Sequence, residues 1–153
     1  MKTKIFLVLA IATSAFFLGS SSAAATPTTG GFKATVLNKA TLAKPTEIEG
    51  LGIHFATEDT TDIYVQQVDF PGKSTSGWHS HPGLVLVTVK SGSIVFHFGC
   101  RTEQFSAGQS FVEPPLAVGM AEDVVDAPAQ VIATLVVPVG RAPRIDASAP
   151  VCG

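Results

Sequence analysis

The chain reads as an all-β domain, a single barrel or sandwich following an N-terminal export leader. Three observations carry this. Short runs rich in β-branched and aromatic residues recur along the chain, each closed by Gly or Pro. No segment beyond the leader keeps an apolar period of 3.6 residues. Two histidines at i and i+2, His79 and His81, share a face only if the backbone around them is extended.

The leader comes first. Lys2 and Lys4 form a basic start, Ile5 to Leu18 is apolar, Gly19 to Ser22 is small and polar, and Ala23-Ala24-Ala25 gives an A-x-A cleavage site. Residues 1–25 therefore read as a signal peptide, with an uncleaved N-terminal anchor as the alternative. The apolar stretch is short of the about 20 residues that a span needs. No Cys follows it, which argues against a lipid anchor. The protein is expected to be exported, to periplasm or medium. The domain is expected to comprise a lead-in with the first strands at 26–61, a barrel core at 62–140 and a tail at 141–153.

Thr26 to Gly31 is a Thr/Gly/Pro-rich lead-in. Phe32 to Leu37 and Ile53 to Phe55 are short strand candidates. Asp62 to Phe70 alternates, with Ile63, Val65 and Gln67 on one face, and Pro71-Gly72 stops it. Leu84 to Val89 and Ser93 to Phe98 are strongly β-like. Gln104-Phe105 and Ser110 to Val112 are short, and Gln130 to Val137 is the last strong strand. Pro138, Pro143 and Pro150 punctuate an extended tail. Phe96, Phe98, Phe105 and Phe111 read as core.

The charge balance excludes one class of function. With 10 basic and 12 acidic residues the net charge is −2, and no basic block is present. Nucleic-acid binding has no electrostatic support. No second apolar span follows the leader, so no membrane association is expected after cleavage. The two cysteines, Cys100 and Cys152, suit an oxidising compartment and read as one disulfide, with two unpaired thiols as the alternative. No G-x-S-x-G elbow, P-loop or G-x-G-x-x-G is present. The catalytic residues, if any, are not legible.

On a strand the Cα atoms of His79 and His81 lie roughly 6.5–7 Å apart, from a rise of about 3.3 Å per residue. Two imidazoles at that spacing can converge on one metal ion. Around them the sequence resembles the cupin superfamily. Gly72, His79, His81 and Gly92 fall at or within one residue of the fixed places of its first motif, and Gly108 and Pro114 match the second. The wording GWHSHPG…SG…AGQSFVEP, with a late RAPRIDA and a terminal Cys, is similar to small exported bacterial cupins. The resemblance implies a cupin-type β-barrel or jelly roll holding a divalent transition metal through three His and one Glu.

Two of those four ligand places are changed. Val85 stands where the Glu belongs and Gly119 where the second-motif His belongs; Leu116 replaces a Gly, and Asp123 stands in the Asn place. Only His79 and His81 carry over as metal ligands, and the metal is unidentified. His54, Glu113, Glu122, Asp123 and the Gln67 amide are other possible donors, each read first as a solvated or hydrogen-bonded structural group. His97 has the parity opposite to Ile94, Phe96 and Phe98 and is expected to face outward. Trp78 has the parity opposite to the His pair and is expected on the outer face or against the tail.

Three functions are compatible with this sequence. The first is an exported cupin that binds a divalent metal through His79 and His81, with an unassigned activity. The second is a non-catalytic barrel holding a small molecule. The third is a structural barrel whose strands pair edge to edge in a homodimer. The first is preferred.

Overall fold

Burial alternates residue by residue along residues 84–90, 110–113, 119–123 and 129–138, and that period of two is what a pleated strand imposes. The computed structural model describes residues 25–152; the signal peptide expected over 1–25 lies outside them but for Ala25. Thirteen strands run in order: β1 (Lys33–Leu42), β2 (Thr46–Gly50), β3 (Ile53–Thr57), β4 (Thr61–Phe70), β5 (Ser74–Thr75), β6 (His79–Ser80), β7 (Leu84–Ser91), β8 (Ser93–Phe98), β9 (Arg101–Ser106), β10 (Ser110–Glu113), β11 (Gly119–Asp123), β12 (Ala129–Pro138) and β13 (Ile145–Asp146).

They form two facing antiparallel sheets and a separate hairpin. The first sheet has the order β1-β4-β12-β7-β10. The second has the order β13-β6-β11-β8-β9, with β5 also paired to β11. From β4 onward the chain passes from one sheet to the other at nearly every connection. That threading makes a jelly roll, or double-stranded β-helix. Gly92 serves the tightest of these passages, between β7 and β8. Its φ is +71°, and a Cβ there would sit 2.8 Å from the Ala129 Cα, so glycine is required twice over.

The core fills the space between the sheets. Phe70, Val85, Val89, Ile94, Phe96, Leu135 and Val137 are all but completely buried. Burial of each such side chain stabilises the fold by roughly 1.5–3 kcal/mol. Phe96, Phe98, Phe105 and Phe111 meet as one aromatic group, with ring centroids 4.5 Å apart for Phe105 and Phe111 and 4.6 Å for Phe96 and Phe98. Phe98 and Phe105 are only partly buried, packed against the core rather than inside it.

Several expectations need correction. Gln67 does not face inward: the cavity side of β4 is Gln66, Val68 and Phe70. Apolar residues occupy both parities of β4, and the larger ones, Tyr64 and Phe70, decide which face turns in. The segment read as Ile53 to Phe55 is half of a hairpin, β2–β3, closed by Leu51 and Gly52 at φ of 52° and 81°. β13 lies in the segment read as tail, and β11 in a segment for which no strand is expected. Cys100 and Cys152 form the expected disulfide, with Cα atoms 5.6 Å apart. Among the described residues no helix is long and apolar enough to cross a membrane.

Candidate metal centre

The site is built from three separate pieces of chain. β6 is only two residues long, yet it is held on both sides. His79 is paired with Gly119 of β11 and with Asp146 of β13. His81 follows two residues later on the same face, and the two rings lie 4.8 Å apart between centroids. The third piece is the end of β10, where Glu113 points inward beside them. The three residues are 6%, 8% and 8% exposed. One donor atom from each lies within 4.8 Å of the others, and His81 Nε2 is 3.5 Å from Glu113 Oε2.

Both imidazoles are oriented from behind. The Nδ1–H of His79 donates to the Gly77 carbonyl at 2.8 Å, and that of His81 to the Pro143 carbonyl at 2.5 Å. A carbonyl only accepts, so each ring is protonated at Nδ1; because burial lowers both pKa values, the rings are neutral near pH 7 and keep an Nε2 lone pair. Ligands about 2.1 Å from a common ion stand roughly 3–3.5 Å apart. One pair of the donors already stands 3.5 Å apart and all three lie within 4.8 Å.

Without an ion, burial favours the neutral form of all three donors. Burial pushes the Glu113 carboxyl up to about 7, with the Arg144 guanidinium opposing. Burial, helped by the positive charge of Arg144, lowers His79 to about 4 and lowers His81 as well. Without an ion this cluster avoids charge altogether. A bound divalent ion reverses that logic, because it compensates the carboxylate and uses both neutral rings. The residues fit a metal.

Each lost motif residue has a local explanation. Val85 is 1% exposed and lies directly opposite Glu113 in the β7–β10 ladder. Opposed residues in an antiparallel pair share a face, with Cβ atoms about 4.5–5.5 Å apart. The Glu113 carboxylate therefore shares the inward face that Val85 occupies on the neighbouring strand. Gly119 is different. A Cβ there would lie 2.6 Å from Cζ of Phe96, so the aromatic ring occupies the place a histidine side chain would need. Glu113, read from the sequence as a solvated or structural group, is thus the buried carboxylate of the cluster.

The remaining candidates lie elsewhere. His97 faces outward as expected, with Nε2 2.9 Å from a Glu122 carboxylate oxygen and its ring 5.7 Å from that of Trp78. His54 is on the exposed hairpin, 3.3 Å from Glu47. Asp123 is fully buried at the far end of β11, opposite Ser74, where burial raises its pKa. It lies four residues along the strand from Gly119, about 13 Å away from it.

The tail supplies two groups the sequence reading missed, Pro143 and Arg144. Arg144 Nη2 donates to the Ser76 carbonyl at 2.8 Å, and its Nε to Asp146 at 2.6 Å. Thr26 N–H donates to the Ala147 carbonyl at 3.1 Å, and Ala147 N–H to that of Trp78 at 2.9 Å. These bonds lay the tail across the mouth of a cavity of about 140 Å³. His79, His81, Glu113 and Arg144 line one side of it, and Phe32, Val68, Phe70 and Leu135 are among the apolar wall residues.

No protein-family model and no curated protein matches the chain. Solved structures resemble it at low identity. A protein with a double-stranded β-helix domain from Klebsiella pneumoniae is 20% identical over 70% of this chain and 87% of its own, with a TM-score of 0.49. The polyketide cyclase RemF from Streptomyces resistomycificus is 15% identical over 55% of this chain and 59% of its own, with a TM-score of 0.49. A conserved protein from Streptococcus pyogenes is 22% identical over 50% of this chain, with a TM-score of 0.46, and 65% of its length is spanned. The fold assignment rests on this chain's own topology. With two facing sheets threaded in alternation, His79 on a two-residue strand with His81 just beyond it, and Gly92 in the turn after β7, the chain has the fold of a cupin-type jelly roll.

Proposed function

We propose that this chain is an exported metal-binding cupin in which His79, His81 and Glu113 hold one divalent transition ion beside a small-molecule cavity. The observation that carries the reading is the convergence of three buried donors, with both Nδ1 atoms already engaged by backbone carbonyls. Two nitrogens and one carboxylate suit zinc or iron(II) and leave coordination positions open. Such an ion supplies Lewis acidity and a place for a ligand oxygen. The chain's own residues orient the donors, exclude bulk water with apolar walls and border the cavity with a cation. The A-x-A leader and the Cys100–Cys152 disulfide support export.

A second reading, a metal-free barrel that binds a small molecule, draws support from the apolar cavity and from a Glu113 that is stable when protonated. Metal analysis of tag-free mature protein separates the two. One equivalent of a transition metal, lost in His79→Ala and in Glu113→Gln, is the expected result. A metal-free protein whose melting temperature ignores both chelators and added ions would sink the proposal.

A further inference from the structure

We infer that the cavity takes a small organic monoanion with an apolar body, its carboxylate lying between the open side of the metal centre and the Arg144 guanidinium. This inference rests on the metal reading above and goes beyond it by naming the ligand class.

Charge is the first argument. A divalent ion and one Glu113 carboxylate leave a net charge of +1 in the cavity, because a histidine that ligates through Nε2 while its Nδ1–H donates to a carbonyl is neutral. Arg144 adds a positive charge at the rim. Its partner Asp146 is 59% exposed on its side chain, so solvent screens much of what it offsets. Glu113 is the one acidic side chain among the cavity residues, and the polar wall residue Gln66 is neutral. An uncompensated positive charge beside apolar walls is costly, and an anionic ligand removes that cost.

Geometry is the second. The Arg144 guanidinium is anchored through Nε and Nη2, to Asp146 and to the Ser76 carbonyl. Its Nη1 makes no hydrogen bond among the described residues. The side chain is 30% exposed, so it borders solvent and cavity together. A guanidinium held this way presents a planar fork that suits a carboxylate.

Size and wall chemistry are the third. About 140 Å³ is well below the roughly 300–1,000 Å³ of sites for drug-sized ligands, and the inner wall is built of Phe, Val, Leu and Ala side chains. The body of the ligand is therefore short and apolar.

The test uses the mature protein loaded with one equivalent of Co(II), whose visible absorption reports on the ligands of the ion. The Co(II) titration alone, in wild type and in His79→Ala, tests the metal reading. Isovalerate and the isosteric neutral isovaleramide are then added separately. Isovalerate is expected to change the spectrum saturably, at least tenfold more tightly than the amide. Arg144→Gln is expected to weaken isovalerate at least tenfold while still binding Co(II), and Arg144→Lys to recover part of the loss. If Co(II) binds but the acid and the amide act alike, or Arg144→Gln binds isovalerate as wild type does, the ligand class is wrong and the metal centre stands. If Co(II) does not bind, both readings fall.

Discussion

Glu113 and Val85 face each other across the β7–β10 ladder, and the buried carboxylate of this barrel comes from the first rather than the second. The motif place at position 85 is apolar, yet the acid reaches the same inner face from the neighbouring strand. The placement of the buried acid is a matter of cross-strand position rather than of sequence position.

Exchange of those two residues tests the relationship. Glu113→Val is expected to reduce metal affinity at least a hundredfold, since an acidic donor is lost from a three-donor set. Adding Val85→Glu to that variant is expected to restore affinity to within about tenfold, because opposed residues share a face. Competition with a chromophoric chelator measures both. A double variant as weak as the single one would show that the two positions are not equivalent.

Phe96 fills the space above Gly119, so enlargement of position 119 overpacks the core. Gly119→Ala is expected to destabilise the fold by about 1–3 kcal/mol in urea unfolding. The cost is expected to shrink when Phe96 is first shortened to Leu, because the Cβ clash is with that ring. Additive effects would mean that the ring is not the obstacle.

The pH dependence follows from two opposed shifts. His79 falls from 6.5 to about 4, so between those values the unfolded chain binds more protons and stability rises with pH. Glu113 rises from 4.5 to about 7, so over that window the folded chain binds more protons and stability falls as pH rises. These nearly cancel between pH 4.5 and 6.5, and the lowered His81 tips the balance toward rising stability. Thermal melts in chelator are expected to show a gentle rise that ends by about pH 6.5, where the Glu113 effect alone remains and reverses it. Metal affinity behaves more steeply, because Glu113 must lose its proton to bind: about tenfold per pH unit below 7. An affinity flat from pH 5 to 7 would contradict the role given to Glu113.

Reduction of Cys100–Cys152 frees the tail that carries Pro143. The two cysteines are 52 residues apart, and the chain-entropy account gives a loss of roughly 4 kcal/mol. Cys152→Ser is also expected to weaken metal binding several-fold, through a looser Pro143 carbonyl behind His81. Chelator competition with and without reductant reads this out. An unchanged affinity would show that the β6–β13 pairing alone fixes the tail.

The strands that carry most of the barrel were readable because β-branched residues crowd them: Leu84 to Val89, Ser93 to Phe98 and Gln130 to Val137. β11 was not, since Gly119-Met120-Ala121-Glu122-Asp123 has little strand propensity and is held by neighbours on both sides. His79 and His81 were legible as a pair because both lie on one short segment. Glu113 joins them only through the pairing of β10 with β7, and Pro143 only across 62 residues of sequence. Strand register and long-range docking are tertiary outcomes, and no local pattern encodes them.

The bond from Thr26 N–H to the Ala147 carbonyl has a topological consequence. It brings residue 26 beside residue 147, so the backbone between them is nearly a closed ring. A short linker joining residue 147 to residue 26, with new ends opened at the exposed Leu51-Gly52 turn, is expected to leave the strand pairings of the two sheets intact. The barrel is in that sense indifferent to where its chain begins.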